Sequence, residues 1–147
     1  MTETGPHRFE LGAWISCAPF ERLLNITIKA AAGGRAVLTM PFKLELSQGM
    51  GLMHGGALVS LADTAVVMAI KSLLPSGTPF VTISLESRFL RPVEKGTVTA
   101  KARVAPAGDR RFQGEAVLYD DGEREVLRCT SLFKIPADTK TNGNAHS

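Results

Sequence analysis

A histidine and two glycines, His54, Gly55 and Gly56, stand just ahead of a lone carboxylate, Asp63, in the stretch GMGLMHGGALVSLADTA at residues 49–65. The run after the glycines is otherwise apolar. An unpaired carboxylate in such a run costs several kcal/mol or shifts its pKa to stay neutral. Asp63 therefore pairs with a cation from a neighbouring strand, faces a polar pocket, or does chemistry. The glycines can form a plain tight turn. They can equally open a helix, whose first N–H groups are unpaired and carry a partial positive charge. Glycine lets a ligand come close to that backbone, and an N–H aimed at a carbonyl oxygen there makes an oxyanion hole. His54 alone can be structural. Gly55 and Asp63 are eight residues apart, which is roughly 12 Å along a helix axis. A reacting carbonyl has to lie within roughly 3 Å of both the donor and the attacking group. One chain cannot achieve that, but two chains about a two-fold axis can. The expectation is an obligate dimer with two equivalent sites at its interface.

The elements that must position these groups follow from periodicity. Residues 57–74 read as one long helix, apolar nearly all round and hence covered on most sides, with Pro75 and Gly77 stopping it. Before it, CAPFERLL reads as a short helix with Pro19 in its first turn. NITIKAA and RAVLTMPF read as a hairpin around Gly33 and Gly34. After it the period becomes two. In FVTISLESRFL, Val81, Ile83 and Leu85 alternate with Thr82, Ser84 and Glu86. TVTAKARV, RFQGEAVLY and LRCTSLFKI alternate likewise, with a turn at Asp120, Asp121 and Gly122. The outline is α+β: two strands, one long helix, then four strands as a meander. A helix needing cover and a sheet with one apolar face solve each other's burial problem, so the sheet wraps the helix. Free strand edges invite a second copy.

Length suits one domain at residues 9–136, with a flexible start at 1–8 and a polar, disordered tail at 137–147. The net charge of +3 is not gathered into a block, which argues against nucleic acid. The excess suits a phosphorylated small molecule or simply solubility. Cys17 and Cys129 form no CxxC or Cys/His cluster, so neither a disulfide framework nor a metal site is expected. The N-terminus lacks the basic start and apolar core of a signal peptide, and the longest apolar stretch is short for a membrane span. A cytoplasmic protein without a membrane partner is expected.

HGGALVSLADTA, the preceding QGMGLM and the helix-then-strands order resemble the hotdog-fold acyl-CoA thioesterases of the phenylacetate-pathway type. The resemblance spans about residues 19–136, and APFERLLNI and SRFLRPVEKG also look like family segments. It implies a hotdog fold and hydrolysis of a CoA thioester to free acid and CoA, with no cofactor and no metal. It also implies a homodimer that pairs into a homotetramer. By the same resemblance the Gly55 N–H polarises the thioester carbonyl and His54 orients that turn. Asp63 of a second copy acts as general base or nucleophile, and Thr82 holds the water or the acid. Gln48 stands where the family usually has Asn, keeping the amide with one more methylene. Gly56 is a substrate-binding candidate at the same turn. Arg88, Arg91, Lys95, Arg110 and Arg111 are candidates for the CoA phosphates. Met50, Met53, Met68 and Phe80 line an acyl pocket or are plain core. A GxSxG elbow is absent, so a serine hydrolase is disfavoured. A hotdog hydratase or dehydratase and a non-catalytic acyl-CoA binding module remain as alternatives.

Overall fold

A computed structural model describes residues 4–7 and 9–137. Most of the expected tail, and residues 1–3 and 8 of the expected flexible start, lie outside the described residues.

The order is α1 (Pro19–Leu23), β1 (Thr27–Ala32), β2 (Arg35–Pro41), a 3-10 turn (Leu44–Leu46), α2 (Gly55–Lys71), β3 (Val81–Phe89), β4 (Thr97–Pro106), β5 (Arg111–Tyr119) and β6 (Glu125–Lys134). The six strands form one antiparallel sheet ordered β1-β2-β4-β5-β6-β3. The expected meander is thus only partly present. β4, β5 and β6 run as neighbours, but β3 passes to the far edge to pair with β6, and β2 takes its place beside β4. Sheet pairing follows the best apolar match rather than chain order, and α2 carries the chain across the sheet between β2 and β3.

The sheet curls round α2, as the burial problem required. Leu61, Ala62, Ala65, Val66, Ala69 and Ile70 of the helix are fully buried. Across the sheet a row of small residues, Ala36, Ala102, Ala116 and Cys129, lies in register. Next to it is Gly114, where an added methyl would run into Val66. Small side chains there let the helix sit close to the strands, which maximises contact in a densely packed interior.

Two local readings change. The helix begins at Gly55, two residues earlier than 57, because the glycines continue it behind a histidine cap. It ends at Lys71, three residues earlier than 74. Leu74 precedes Pro75, which disfavours helical backbone there. Trp14 also seals the end: its indole Nε1 donates to the Lys71 carbonyl at 3.0 Å, and Lys71 Nζ donates back to the Trp14 carbonyl at 3.0 Å. In β3 the simple alternation fails. A bulge between Thr82 and Ser84 leaves Ile83 unpaired, turns Thr82 inward opposite Phe133, and leaves Val81 and Ile83 exposed.

Candidate functional site

Everything of interest is arranged along one helix and one edge strand. At the helix start His54 is the N-cap: its Nδ1 accepts the Gly56 N–H at 2.8 Å, and its carbonyl accepts from Ala57 and Leu58. Nδ1 as acceptor places the ring proton of the neutral imidazole on Nε2. Among the described residues the Gly55 N–H has no acceptor. One donor is therefore left at the positive end of a 17-residue helix.

Each glycine has its own steric reason. A Cβ on Gly56 would lie 3.0 Å from His54 Nδ1, so the cap requires glycine there. A Cβ on Gly55 would lie 3.1 Å from Cε2 and 3.3 Å from Cζ of Phe89, which comes from the far end of β3. Gly56, expected among the substrate-binding groups, has its N–H taken by His54.

Gln48 lies in a turn just upstream. Its backbone N–H donates to the Leu52 carbonyl, its carbonyl accepts from Gly51, and Gly51 adopts a φ of 84°. The side-chain Oε1 accepts the Met50 N–H, so the amide's two remaining donors are its Nε2 hydrogens. The His54 N–H bonds back to the Leu46 carbonyl, and Met53 N–H to that of Val93, tying this turn to the helix start and to the segment after β3.

Asp63 sits two turns further on, half-buried, and its Oδ1 accepts a long hydrogen bond from Thr82 Oγ1 at 3.4 Å. Burial pushes its carboxyl above the usual carboxylate range. The Thr82 hydroxyl opposes this, and the charge of Glu21 on α1 adds to it. Cys129 lies on the same inner face, its thiol pushed up by burial first and also by the Asp63 charge, with the neighbouring Ser87 hydroxyl opposing. Glu21, Phe89 and Cys129 are neighbours that sequence reading did not single out. Each lies within a quoted segment, Glu21 in APFERLLNI, Phe89 in SRFLRPVEKG and Cys129 in LRCTSLFKI, but none was assigned to the site.

Within one chain these groups form two separate clusters. Gly55, His54, Gln48 and Phe89 lie at one end of β3, and Asp63 with Thr82 at the other. The expected cations also divide. Arg91 and Lys95 follow β3 on the Gly55 side, while Arg110 lies in the β4–β5 turn and Arg111 opens β5, which meets the Thr82 end through the Arg111–Lys134 and Lys134–Val81 pairs. Arg88 pairs with Arg128, one residue out of phase with Phe89, and so lies on the outer sheet face. All five are exposed. Met53 and Met68 are buried in the core, Met50 is exposed, and Phe80 packs on Phe133 with ring centroids 6.0 Å apart.

The family model described as Thioesterase superfamily matches residues 50–127, which contain both clusters apart from Gln48 and the neighbours Glu21 and Cys129. The chain belongs to the thioesterase superfamily. Within it, the chain is 31% identical over 106 residues to the proofreading thioesterase EntH of Klebsiella pneumoniae, covering 72% of this chain and 77% of that one. Two solved superfamily-like structures share the fold. One is a conserved protein, PA5202, from Pseudomonas aeruginosa, with 28% identity, a TM-score of 0.77, and coverage of 82% of this chain and 95% of that one. The other is the E. coli PaaI protein from the phenylacetic acid degradation operon, with 29% identity, a TM-score of 0.75, and coverage of 82% and 86%. The architecture is the hotdog fold, α+β, and the superfamily makes this chain a thioester hydrolase. No helix among the described residues is long and apolar enough to cross a membrane.

Proposed function

We propose that this chain hydrolyses acyl-CoA thioesters at two equivalent sites, each built from the Gly55 end of one copy and the Asp63 end of another. The observation that carries the reading is the pairing of a helix N-terminus stripped to one unsatisfied N–H with a desolvated carboxylate on the same helix. The first is built to receive a carbonyl oxygen that gains charge. The second is a base whose proton affinity has been raised toward working pH.

The edge strand supports the two-copy arrangement. β3 has β6 on one side and, among the described residues, no strand on the other, and it exposes Val81 (56%), Ile83 (48%) and Phe89 (56%). A long apolar edge of this kind pairs with another strand. Antiparallel pairing of β3 with its own copy, centred near Leu85 and Glu86, sets Thr82 of one chain opposite Phe89 of the other. Asp63 rides with Thr82 and Gly55 with Phe89, so the two half-sites meet. Two such dimers can pair into a tetramer.

In this arrangement the Gly55 N–H, helped by the Gln48 Nε2 hydrogens, holds the thioester oxygen. His54 keeps the turn shaped for it, and Gly56 lets the substrate approach. Asp63 of the second copy, steadied by Thr82, activates water or attacks the carbonyl carbon itself. The C–S bond breaks, and CoA leaves as a thiolate that takes the proton Asp63 drew from the water; where Asp63 itself attacks, water then cleaves the acyl–Asp63 anhydride and supplies that proton. Arg88, Arg91, Arg110 and Arg111 supply positive charge for the CoA phosphates, each cation group from a different copy. The test is thiol release from short, long and aromatic acyl-CoA substrates, with sedimentation of wild type and Ile83→Lys. Turnover by a dimer or larger assembly, lost together with association in the variant, is the expected result. A fully active monomer refutes the shared site, and tight CoA binding without turnover points to a binding module instead.

A further inference from the structure

Phe89 presents its ring to Gly55, whose N–H is unpaired among the described residues. Its ring edge lies where a side chain on residue 55 would begin, with Cε2 at 3.1 Å and Cζ at 3.3 Å from that point. The first residue of a helix directs both its N–H and its Cα–Cβ bond toward the helix N-terminus. An oxygen bonded to the Gly55 N–H therefore shares a small space with this ring. The ring is also held from behind: Phe89 is the last residue of β3, paired in register with Leu127, whose side chain is fully buried. It is 56% exposed in the single chain, on the open edge, so its outer surface faces whatever occupies the site.

We propose that Phe89 sets the steric limit at the acyl carbon next to the reacting carbonyl. This rests on the reading that the Gly55 N–H binds the thioester oxygen. With that oxygen fixed, the α-carbon of the acyl group follows within one bond of the carbonyl carbon and meets the ring edge. A CH2 group fits along the flat edge of the ring. A second substituent on the α-carbon has to displace a ring that strand pairing holds in place. The enzyme then prefers acyl groups unbranched at the α-carbon, whatever their length further out. The same contact explains why residue 55 has no side chain, since a methyl there would compete with the ring for the same volume.

The experiment compares straight-chain butyryl-CoA with α-branched isobutyryl-CoA in wild type, Phe89→Ala, Phe89→Tyr and Asp63→Asn, read as the ratio of kcat/KM values. Wild type favours the straight chain by about tenfold or more, the range one misplaced methyl commands in a shaped pocket. Phe89→Ala brings the ratio close to one, and Phe89→Tyr keeps it. A merely structural role for Phe89 lowers both rates and leaves the ratio alone, and that outcome overturns the proposal. An unchanged ratio in Phe89→Ala, with activity abolished by Asp63→Asn, overturns the Phe89 role while leaving the thioesterase reading intact. Absence of thiol release from every thioester by wild type overturns both. A coupling arm separates packing from function. Gly55→Ala should be rescued in part when combined with Phe89→Ala, and strict additivity of the two losses contradicts the shared volume.

Discussion

The two ends of α2 are finished in opposite ways. At the C-terminal end nearly every group is tied. Trp14 and Lys71 exchange hydrogen bonds to each other's carbonyls, and the ammonium lies 4.6 Å from the centre of the indole ring. Ser72 donates to the Ala69 carbonyl and accepts the Gly34 N–H, closing the hairpin turn onto the helix. At the N-terminal end there is one side-chain cap, two residues without side chains, and an N–H with no acceptor among the described residues. Both ends belong to a buried helix that needs its termini satisfied. The difference fits the proposed site: one end is closed for stability, while the other keeps an unmet hydrogen bond among the described residues.

The sharpest way to break this contrast is at Asp63. Asp63→Asn should lower kcat by about 10²–10⁴-fold, the usual worth of a positioned base. The same variant should melt at a higher temperature than wild type at neutral pH. The sign follows from the raised pKa: the folded chain holds the Asp63 proton more tightly than the unfolded chain. Stability is therefore lost as pH rises from the ordinary carboxylate range through the folded value, and the loss is complete above it. The advantage of Asn should shrink as pH falls through the folded value and be gone below about 4. Calorimetry across pH reads this, and a wild type that melts higher at neutral pH contradicts the burial penalty.

His54→Ala comes next. It removes the cap and frees the Gly56 N–H, so two donors then compete at the turn. A loss of about 1 kcal/mol in stability is expected, with a fall in kcat/KM of about 10²-fold from misplacement of the Gly55 N–H. At the sealed end the balance reverses. Trp14→Ala should cost about 2 kcal/mol, since the ring is half-buried, and lower the melting temperature by about 4–8 °C. Its kcat/KM should stay near wild type at a temperature where both proteins are folded. Equal losses of activity from His54→Ala and Trp14→Ala would erase the distinction between the ends.

The smallest effect is expected at Thr82. Its hydroxyl lowers the Asp63 pKa, so Thr82→Val should move the acid limb of the pH–rate profile upward, toward neutrality. A limb that moves down, or disappears, argues that Asp63 is not the titrating base.

Much of this was legible in the sequence because it depends on local pattern. The helix showed as a long apolar run and the strands as period-two stretches, and Asp63 stood out as a charge within that run. The glycine pair marked a helix start, but the start itself was placed two residues late. Histidine is outside the usual N-cap set, and two glycines read more readily as a turn than as a first helical turn. What stayed hidden depends on contacts between distant residues. The Phe89 ring reaches Gly55 across 34 positions, and Trp14 reaches Lys71 across 57. The placement of β3 beside β6 rather than β4 is set by the whole sheet. The bulge at Ile83 disrupts the alternation that the same residues display on paper.

That bulge has a consequence for how the protein tolerates change in length. Thr82 pairs with Phe133 and Ser84 with Leu132, so Ile83 is one residue more than the opposing strand requires. Losing its codon would restore a regular ladder, with Thr82 still turned toward Asp63 and every later residue of β3 in its present register. The pH–rate profile should survive such a deletion, whereas an inserted residue at the same place would enlarge the bulge. The strand absorbs a shortening that most edge strands would not, and the residue it can spare is one exposed on the open edge.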